Sequence, residues 1–257
     1  MVTSLPLPEI AAAAIRLIRT LKDSNISAKL FGSCAMWHIA ERSRPLLFSA
    51  GRFPEDIDLV VRHSDLPTLL SFLKRAGWIE DEWLRANSGG SRARFSQPNL
   101  SMPILDVWVG KLRMAQTLDI EESMDLCEVS LPITDLVLSK LQIHHLTSKD
   151  ALDLLALLNA FEFSGDPCRR LDSERISSIV YNSWGWYHSI EQSAREFVQF
   201  SQQMKSQSTI DELQSANISK VLDSILDVSA STPKTVLWYL RRLIGHKIQW
   251  YATFEAL

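Results

Sequence analysis

Apolar and polar positions follow one pattern over the first part of the chain and another over the last. Residues 8–22 place Ile10, Ala14, Leu17, Ile18 and Leu21 at helical spacing, with Pro8 suited to the first turn. Turn residues Asp23, Ser24 and Asn25 end that helix, and Ser27 to Phe31 then read as a short strand running into Gly32 and Ser33. A second helix is predicted from Cys34 to Arg42. Residues 43–55, with two prolines and one glycine, read as a loop. The alternating, β-branched run Asp56 to Arg62 predicts a strand. A helix follows from Leu66 to the Ala76–Gly77 stop.

Three more strands are predicted at 78–84, 91–97 and 103–109, the first two separated by the turn Asn87, Ser88, Gly89 and Gly90. From there the period is helical: 133–146, 148–163, 170–181, 188–206, 209–228 and 233–250. Ser164, Gly165, Asp166 and Pro167 form the clearest boundary. The pattern therefore predicts an α+β domain over 1–164, a mixed β-sheet flanked by helices, followed by an all-helical part over 165–257.

Composition adds little to this. The 257 residues are 46% hydrophobic and 22% charged, ordinary values for a chain that buries a full core. A net charge of -3 gives no global drive toward nucleic acid or anionic membrane. No apolar run approaches the roughly 18 to 20 residues of a spanning helix. Ile10 to Ile15 lacks a basic leader and reads as ordinary helix, so no membrane partner is expected. Cys34, Cys127 and Cys168 are far apart and form no CxxC pair. They predict neither a disulfide framework nor a structural zinc site, and unpaired cysteines fit a reducing cytoplasm.

The chemistry concentrates in acids on strands. Asp56 and Asp58 are two apart, so both carboxylates leave the same strand face. Adjacent carboxylates raise each other's pKa unless a cation lies between them, and Mg²⁺ takes such oxygen ligands together with substrate phosphates. Taken alone, this pair fits a solvated strand edge better than a metal site. Asp106 interrupts the apolar strand Ile104 to Val109 and needs a partner there. A strand that ends in Gly32 and Ser33 at a helix start offers free N–H groups to phosphate. No GxxxxGK[ST] loop, GxGxxG fingerprint, HExxH or GxSxG elbow occurs.

The segments LFGSCAMWHIAER, PEDIDLVV and ILDVWVG, in that order, resemble the nucleotidyltransferase superfamily that includes DNA polymerase beta. The resemblance implies that Gly32 and Ser33 bind triphosphate and that Asp56, Asp58 and Asp106 bind Mg²⁺ or Mn²⁺. Ser33 and Asp56 are 23 positions apart, longer than the usual spacing, which puts the extra residues in the 43–55 loop. DLVLSKLQ at 135–142 and SKDALDLLALL at 148–158 resemble the AbiEii-like and minimal nucleotidyltransferases of bacterial toxin–antitoxin systems. There Lys140 and Asp150, with Asp153 as an alternate, would complete the site. The segment at Trp184, Gly185 and Trp186 and the ending PKTVLWYLRRLIGHKIQWY also look like those of bacterial nucleotidyltransferase-family proteins.

Several residues admit more than one role. Lys140, on an apolar helix face, either snorkels to solvent, meets an acid or reaches a triphosphate. Asp150 opens a helix and equally satisfies its dipole. Arg42 is either a phosphate contact or a surface arginine. His144 and His145 lack a second ligand pair at metal spacing. Trp108 shares the strand face of Asp106 and is a candidate for lining a nucleotide pocket. Lys234, Arg241, Arg242 and Lys247, against only Glu255, suggest RNA phosphate or a solvated face. The expected activity is transfer of a nucleoside monophosphate from a Mg²⁺-bound nucleoside triphosphate to an acceptor: a small molecule, RNA or protein. The rival is a non-catalytic nucleotide sensor or interaction scaffold that keeps the fold.

Overall fold

The computed structural model describes residues 6–97, 104–162, 165–207 and 209–252. Its first part is α+β, as the pattern predicts. Helix α1 (Glu9–Asp23) leads to β1 (Ala28–Phe31), α2 (Gly32–Ile39), α3 (Arg44–Ser49) and β2 (Ile57–Val61). Then come α4 (Leu66–Arg75), β3 (Ile79–Glu80), α5 (Glu82–Asn87), β4 (Arg92–Ser96) and β5 (Leu105–Val109). A small hairpin, β6 (Lys111–Arg113) and β7 (Thr117–Asp119), follows. The helical part is α6 (Ile133–Leu141), α7 (Ser148–Ala160), α8 (Ser173–Asn182), α9 (Trp184–Ser206), α10 (Glu212–Ser231) and α11 (Val236–Ile244).

The main sheet has the order β1-β2-β5-β4-β3. Strands β2 and β5 are parallel; the other pairs are antiparallel. Residues 129–131 bind the free edge of β1 through Leu30 N–H to Val129 O and Leu131 N–H to Leu30 O. One buried apolar cluster runs from Ile18 and Leu21 in α1 through β2 and β5 to Leu154 in α7 and Val221 in α10. At about 25 cal/mol per Å² of apolar area removed from water, such a core is the main stabilising term.

Four local features differ from the pattern. The 43–55 stretch is not all loop: Pro45 sits in the first turn of α3, and Leu47 is wholly buried. The strand expected over 78–84 stops at Glu80 because the Asp81 carboxylate accepts the Leu84 N–H at 3.0 Å and starts α5. The β6–β7 hairpin escapes the pattern; three-residue strands carry too little alternation to see, though Leu112 and Leu118 pair and are buried. Position 103 of the predicted third strand, 163 of a predicted helix, Ser164 of the boundary and Glu255 lie outside the described residues.

The fourth difference is covalent. The cysteines are not all unpaired: Cys127 and Cys168 form a disulfide, with Cα atoms 5.7 Å apart across 41 positions. The turn Pro167–Arg169 is folded against the segment preceding 129–131, an approach that spacing along the chain cannot reveal. Cys34 alone is free, and it is buried. With two of the three thiols bonded, cysteine usage no longer points to a reducing compartment. Among the described residues, no helix is long and apolar enough to cross a membrane.

Candidate functional site

Strand register assembles the acids. One rung across the sheet reads Phe31, Asp58, Asp106 and Arg94, since Phe31 pairs with Asp58, Asp58 with Asp106 and Asp106 with Arg94. The next rung on the same face is Lys29, Val60, Trp108 and Arg92. Asp56 precedes β2 by one residue, two from Asp58. Carboxylate oxygens of Asp56, Asp58 and Asp106 all lie within 4.8 Å of one another.

Gly32 explains how the chain comes so close. It follows β1 with φ of +63°, a conformation glycine adopts freely. A Cβ built there would lie 2.1 Å from Asp58 Oδ2. Ser33 is the next residue, and its buried Oγ has no hydrogen-bond partner among the described residues. The thiol of Cys34 donates to the backbone oxygen of Asp56 at 3.3 Å, tying the start of α2 to the start of β2. Burial, with Asp58 and Asp56 nearby, pushes that thiol up to about 12, so it stays neutral.

The acids repel. Burial, reinforced by Asp56 and Asp106, pushes the Asp58 carboxyl up to about 8, against the pull of Lys140 and Arg92. Burial and Asp106 also raise Asp56 above the ordinary carboxylate range. A carboxyl that binds its proton more tightly in the folded state stabilises the fold fully below its unfolded pKa, here near 3.8. That contribution is lost as pH rises from there to the folded value near 8, and the loss is complete above it. Cation-free protein should therefore melt progressively lower as pH rises to about 8 and level off above that, and millimolar Mn²⁺ should restore the loss. Differential scanning fluorimetry with EDTA and with Mn²⁺ measures both. A melting temperature that does not move with pH would remove the charge conflict assigned to this cluster.

Asp106 meets two arginines. Arg94 donates Nε to Oδ1 at 2.9 Å and Nη2 to Oδ2 at 3.1 Å, and Arg92 donates Nη2 to Oδ2 at 3.0 Å. Arg92 also lies over the Trp108 ring at 4.8 Å, so the indole expected to line a nucleotide pocket carries an arginine on its face. Neither arginine stands among the candidates drawn from the sequence. A signal for them exists: Arg92 and Arg94 are two apart on a strand, the same device that aligns Asp56 with Asp58.

Lys140 meets acids on its other side, with Nζ 3.0 Å from Asp150 and 2.9 Å from Asp153. Burial alone would lower its pKa, but Asp153 and Asp150 outweigh burial and raise it. Asp150 forms a capping box with Thr147 at the start of α7, the dipole-satisfying role its position suggests, while also pairing with Lys140. Asp153 is fully buried and binds Arg52 through two bonds, 2.8 and 2.9 Å. Arg52 comes from the stretch leading to Asp56, and no local pattern points to it. Lys140 is thus anchored on the Asp150–Asp153 helix, and its charge acts on the Asp58 carboxyl.

Other candidates lie apart. Arg42 is exposed in a short turn beyond α2. The eight residues of α2 put it roughly 12 Å along the helix from Gly32. The rings of His144 and His145 lie tilted to each other with centres 4.3 Å apart, and His144 stacks on Tyr251 at 3.9 Å. Of the four C-terminal cations, Lys234 is bonded to the backbone oxygens of Ser229 and Thr232, and Arg241 to those of Gly245 and Ile248. Arg242 and Lys247 are exposed beside the outward aliphatic residues Leu237, Leu240 and Leu243. A cleft of about 610 Å³ between α8 and α10 shares no residue with the acid cluster.

A divalent cation fits the donor set. The ligands are hard carboxylate oxygens, Gly32 keeps the approach open, and the orphaned Ser33 hydroxyl stands beside them. Asp106 retains one lone pair on Oδ1, because both sites on Oδ2 are filled by the arginines.

No protein-family model matches the chain, and no curated protein matches it. Among solved structures it is similar to an antigenic nucleotidyltransferase-like protein from Paracoccidioides brasiliensis, at 13% identity and a TM-score of 0.42, with 79% of this chain and 94% of that chain covered.

Proposed function

We propose that the chain is a metal-dependent nucleotidyltransferase that moves a nucleoside monophosphate from a nucleoside triphosphate to a hydroxyl acceptor and releases pyrophosphate. The observation that carries this reading is the convergence of Asp56, Asp58 and Asp106 next to a strand-to-helix turn with a free buried hydroxyl. A protein that only scaffolds has little need of three repelling carboxylates in one place. Bound Mg²⁺ or Mn²⁺ would offset their charge and that of the phosphates, and would activate the acceptor oxygen.

The chain's own residues do the rest. Ser33 Oγ and the first N–H groups of α2 bind phosphate oxygens, since the first turn of a helix leaves those donors unused. Gly32 lets the phosphate approach the backbone. Asp56 and Asp58 hold the cation, and Asp106 supplies one further oxygen. Lys140 sets the charge balance behind Asp58. Held by Asp150 and Asp153, it acts as a positioning residue rather than a free triphosphate ligand. In the transfer, the acceptor oxygen bonds to the α-phosphorus, the bond from that phosphorus to the bridging oxygen breaks, and the acceptor proton leaves to solvent or a carboxylate. Rate enhancement comes from alignment and charge neutralisation.

Acceptors to be tried are small hydroxylated molecules, RNA and protein, with exposed Arg242 and Lys247 as the RNA contact on the C-terminal helix. Purified protein is incubated with Mg²⁺, each α-labelled nucleoside triphosphate and these acceptor pools. Wild type should transfer label, and Asp58→Asn should lower transfer at least a hundredfold while the protein still folds. Undiminished transfer by Asp58→Asn removes this site. Tight Mg²⁺–triphosphate binding without transfer to any acceptor favours the nucleotide sensor instead.

A further inference from the structure

Resting on that reading, we infer that Arg94 is an exchangeable latch on Asp106: it neutralises the third carboxylate in the free protein and transfers to the phosphates of an incoming cation-bound nucleoside triphosphate. Arg92 is the fixed half of the clamp. The consequence is that cation alone binds weakly, while cation and triphosphate enter as a unit.

The two arginines differ in ways that assign these parts. The Arg92 side chain is 13% exposed and has its guanidinium carbon 4.8 Å from the centre of the Trp108 ring, a second contact that holds it in place. The Arg94 side chain is 31% exposed, and its two parallel bonds to Asp106 use the fork that phosphate also fits. Arg94 lies on the same sheet rung as Asp58 and Asp106, while Arg92 lies one rung further along the same face. In the free protein it occupies one lone pair on each Asp106 oxygen. A divalent cation arriving alone meets a carboxylate with a single open lone pair, on Oδ1, and a positive charge at short range, where like charges repel strongly in a half-buried site. A triphosphate changes that balance. It offers the guanidinium an equally good bidentate partner and frees Asp106 oxygen for the cation.

The test separates cation from nucleotide. Mn²⁺ binding is followed by loss of the free-ion electron paramagnetic resonance signal, without nucleotide, for wild type, Arg94→Gln and Arg94→Lys. Binding of Mg²⁺ with a non-hydrolysable nucleoside triphosphate is followed by calorimetry. Arg94→Gln should bind Mn²⁺ alone about tenfold tighter than wild type and the Mg²⁺–triphosphate about tenfold more weakly. Arg94→Lys, which keeps the charge and folds under the same constraints, should match wild type for Mn²⁺ and lose severalfold for the triphosphate, because an ammonium cannot make two parallel bonds. Mn²⁺ affinity in Arg94→Gln equal to or below wild type overturns the latch. So does unchanged triphosphate affinity in both variants. Wild type that binds no triphosphate of any base overturns the nucleotidyl-transfer reading, whatever Mn²⁺ does.

Discussion

Gly32→Ala should disable the site and destabilise the fold by about 2–4 kcal/mol, combining a left-handed backbone penalty of about 1 kcal/mol with overpacking of about 1–3 kcal/mol. The added methyl would sit 2.1 Å from Asp58 Oδ2, 3.0 Å from its Cγ and 3.2 Å from its Cβ. Rotating the carboxylate away does not relieve the contacts to Cγ and Cβ. The whole side chain must move, and with it the oxygen that meets Asp56 and Asp106. Gly51 supplies the control. Its φ of +65° matches the +63° of Gly32, but a Cβ there meets nothing within 4 Å. Gly51→Ala should therefore show the backbone penalty alone and keep wild-type Mn²⁺ affinity. Gly32→Ala should lose more stability in urea titration and bind Mn²⁺ at least tenfold more weakly. Equal behaviour of the two variants would mean that Gly32 serves backbone shape and not the approach to Asp58.

That contrast also shows what is legible in the sequence. Strand alternation aligns Asp56 with Asp58, and the Gly32–Ser33 turn is visible as a strand-to-helix junction. The α+β order and the later helices follow from periodicity. What periodicity cannot show is which strands are neighbours. The meeting of Asp58 with Asp106 depends on β2 and β5 pairing in parallel across an intervening stretch that includes α4, β3, α5 and β4. The arginines on Asp106 require β4 to lie on the other side of β5. Arg52 has no local signature at all, because its partner Asp153 is 101 positions away. The Cys127–Cys168 bond is hidden for the same reason. Charge balance across distant segments is a tertiary property, and the site consists largely of it.

Charge is also what separates the two acids of α7. Asp153→Ala should cost about 3–5 kcal/mol, the range for removing one partner of a buried ion pair. For a chain this long, that lowers the melting temperature by roughly 10 °C. Asp153 has no exposed surface and accepts from Arg52 Nε and Nη2, with Lys140 Nζ 2.9 Å away. Its loss strands Arg52, whose side chain is only 12% exposed, and leaves Lys140 with Asp150 alone. The damage should reach the acids. The backbone oxygen of Arg52 accepts the indole N–H of buried Trp37, and the same stretch delivers Asp56. Asp150→Ala removes a capping box and one partly exposed ion pair, so it should cost about 1 kcal/mol. Asp153→Asn keeps the shape without the charge and should fall between the two. Thermal melts of the three variants rank them. If Asp150→Ala proves the more damaging, the anchor of Lys140 is the helix cap and not the buried carboxylate.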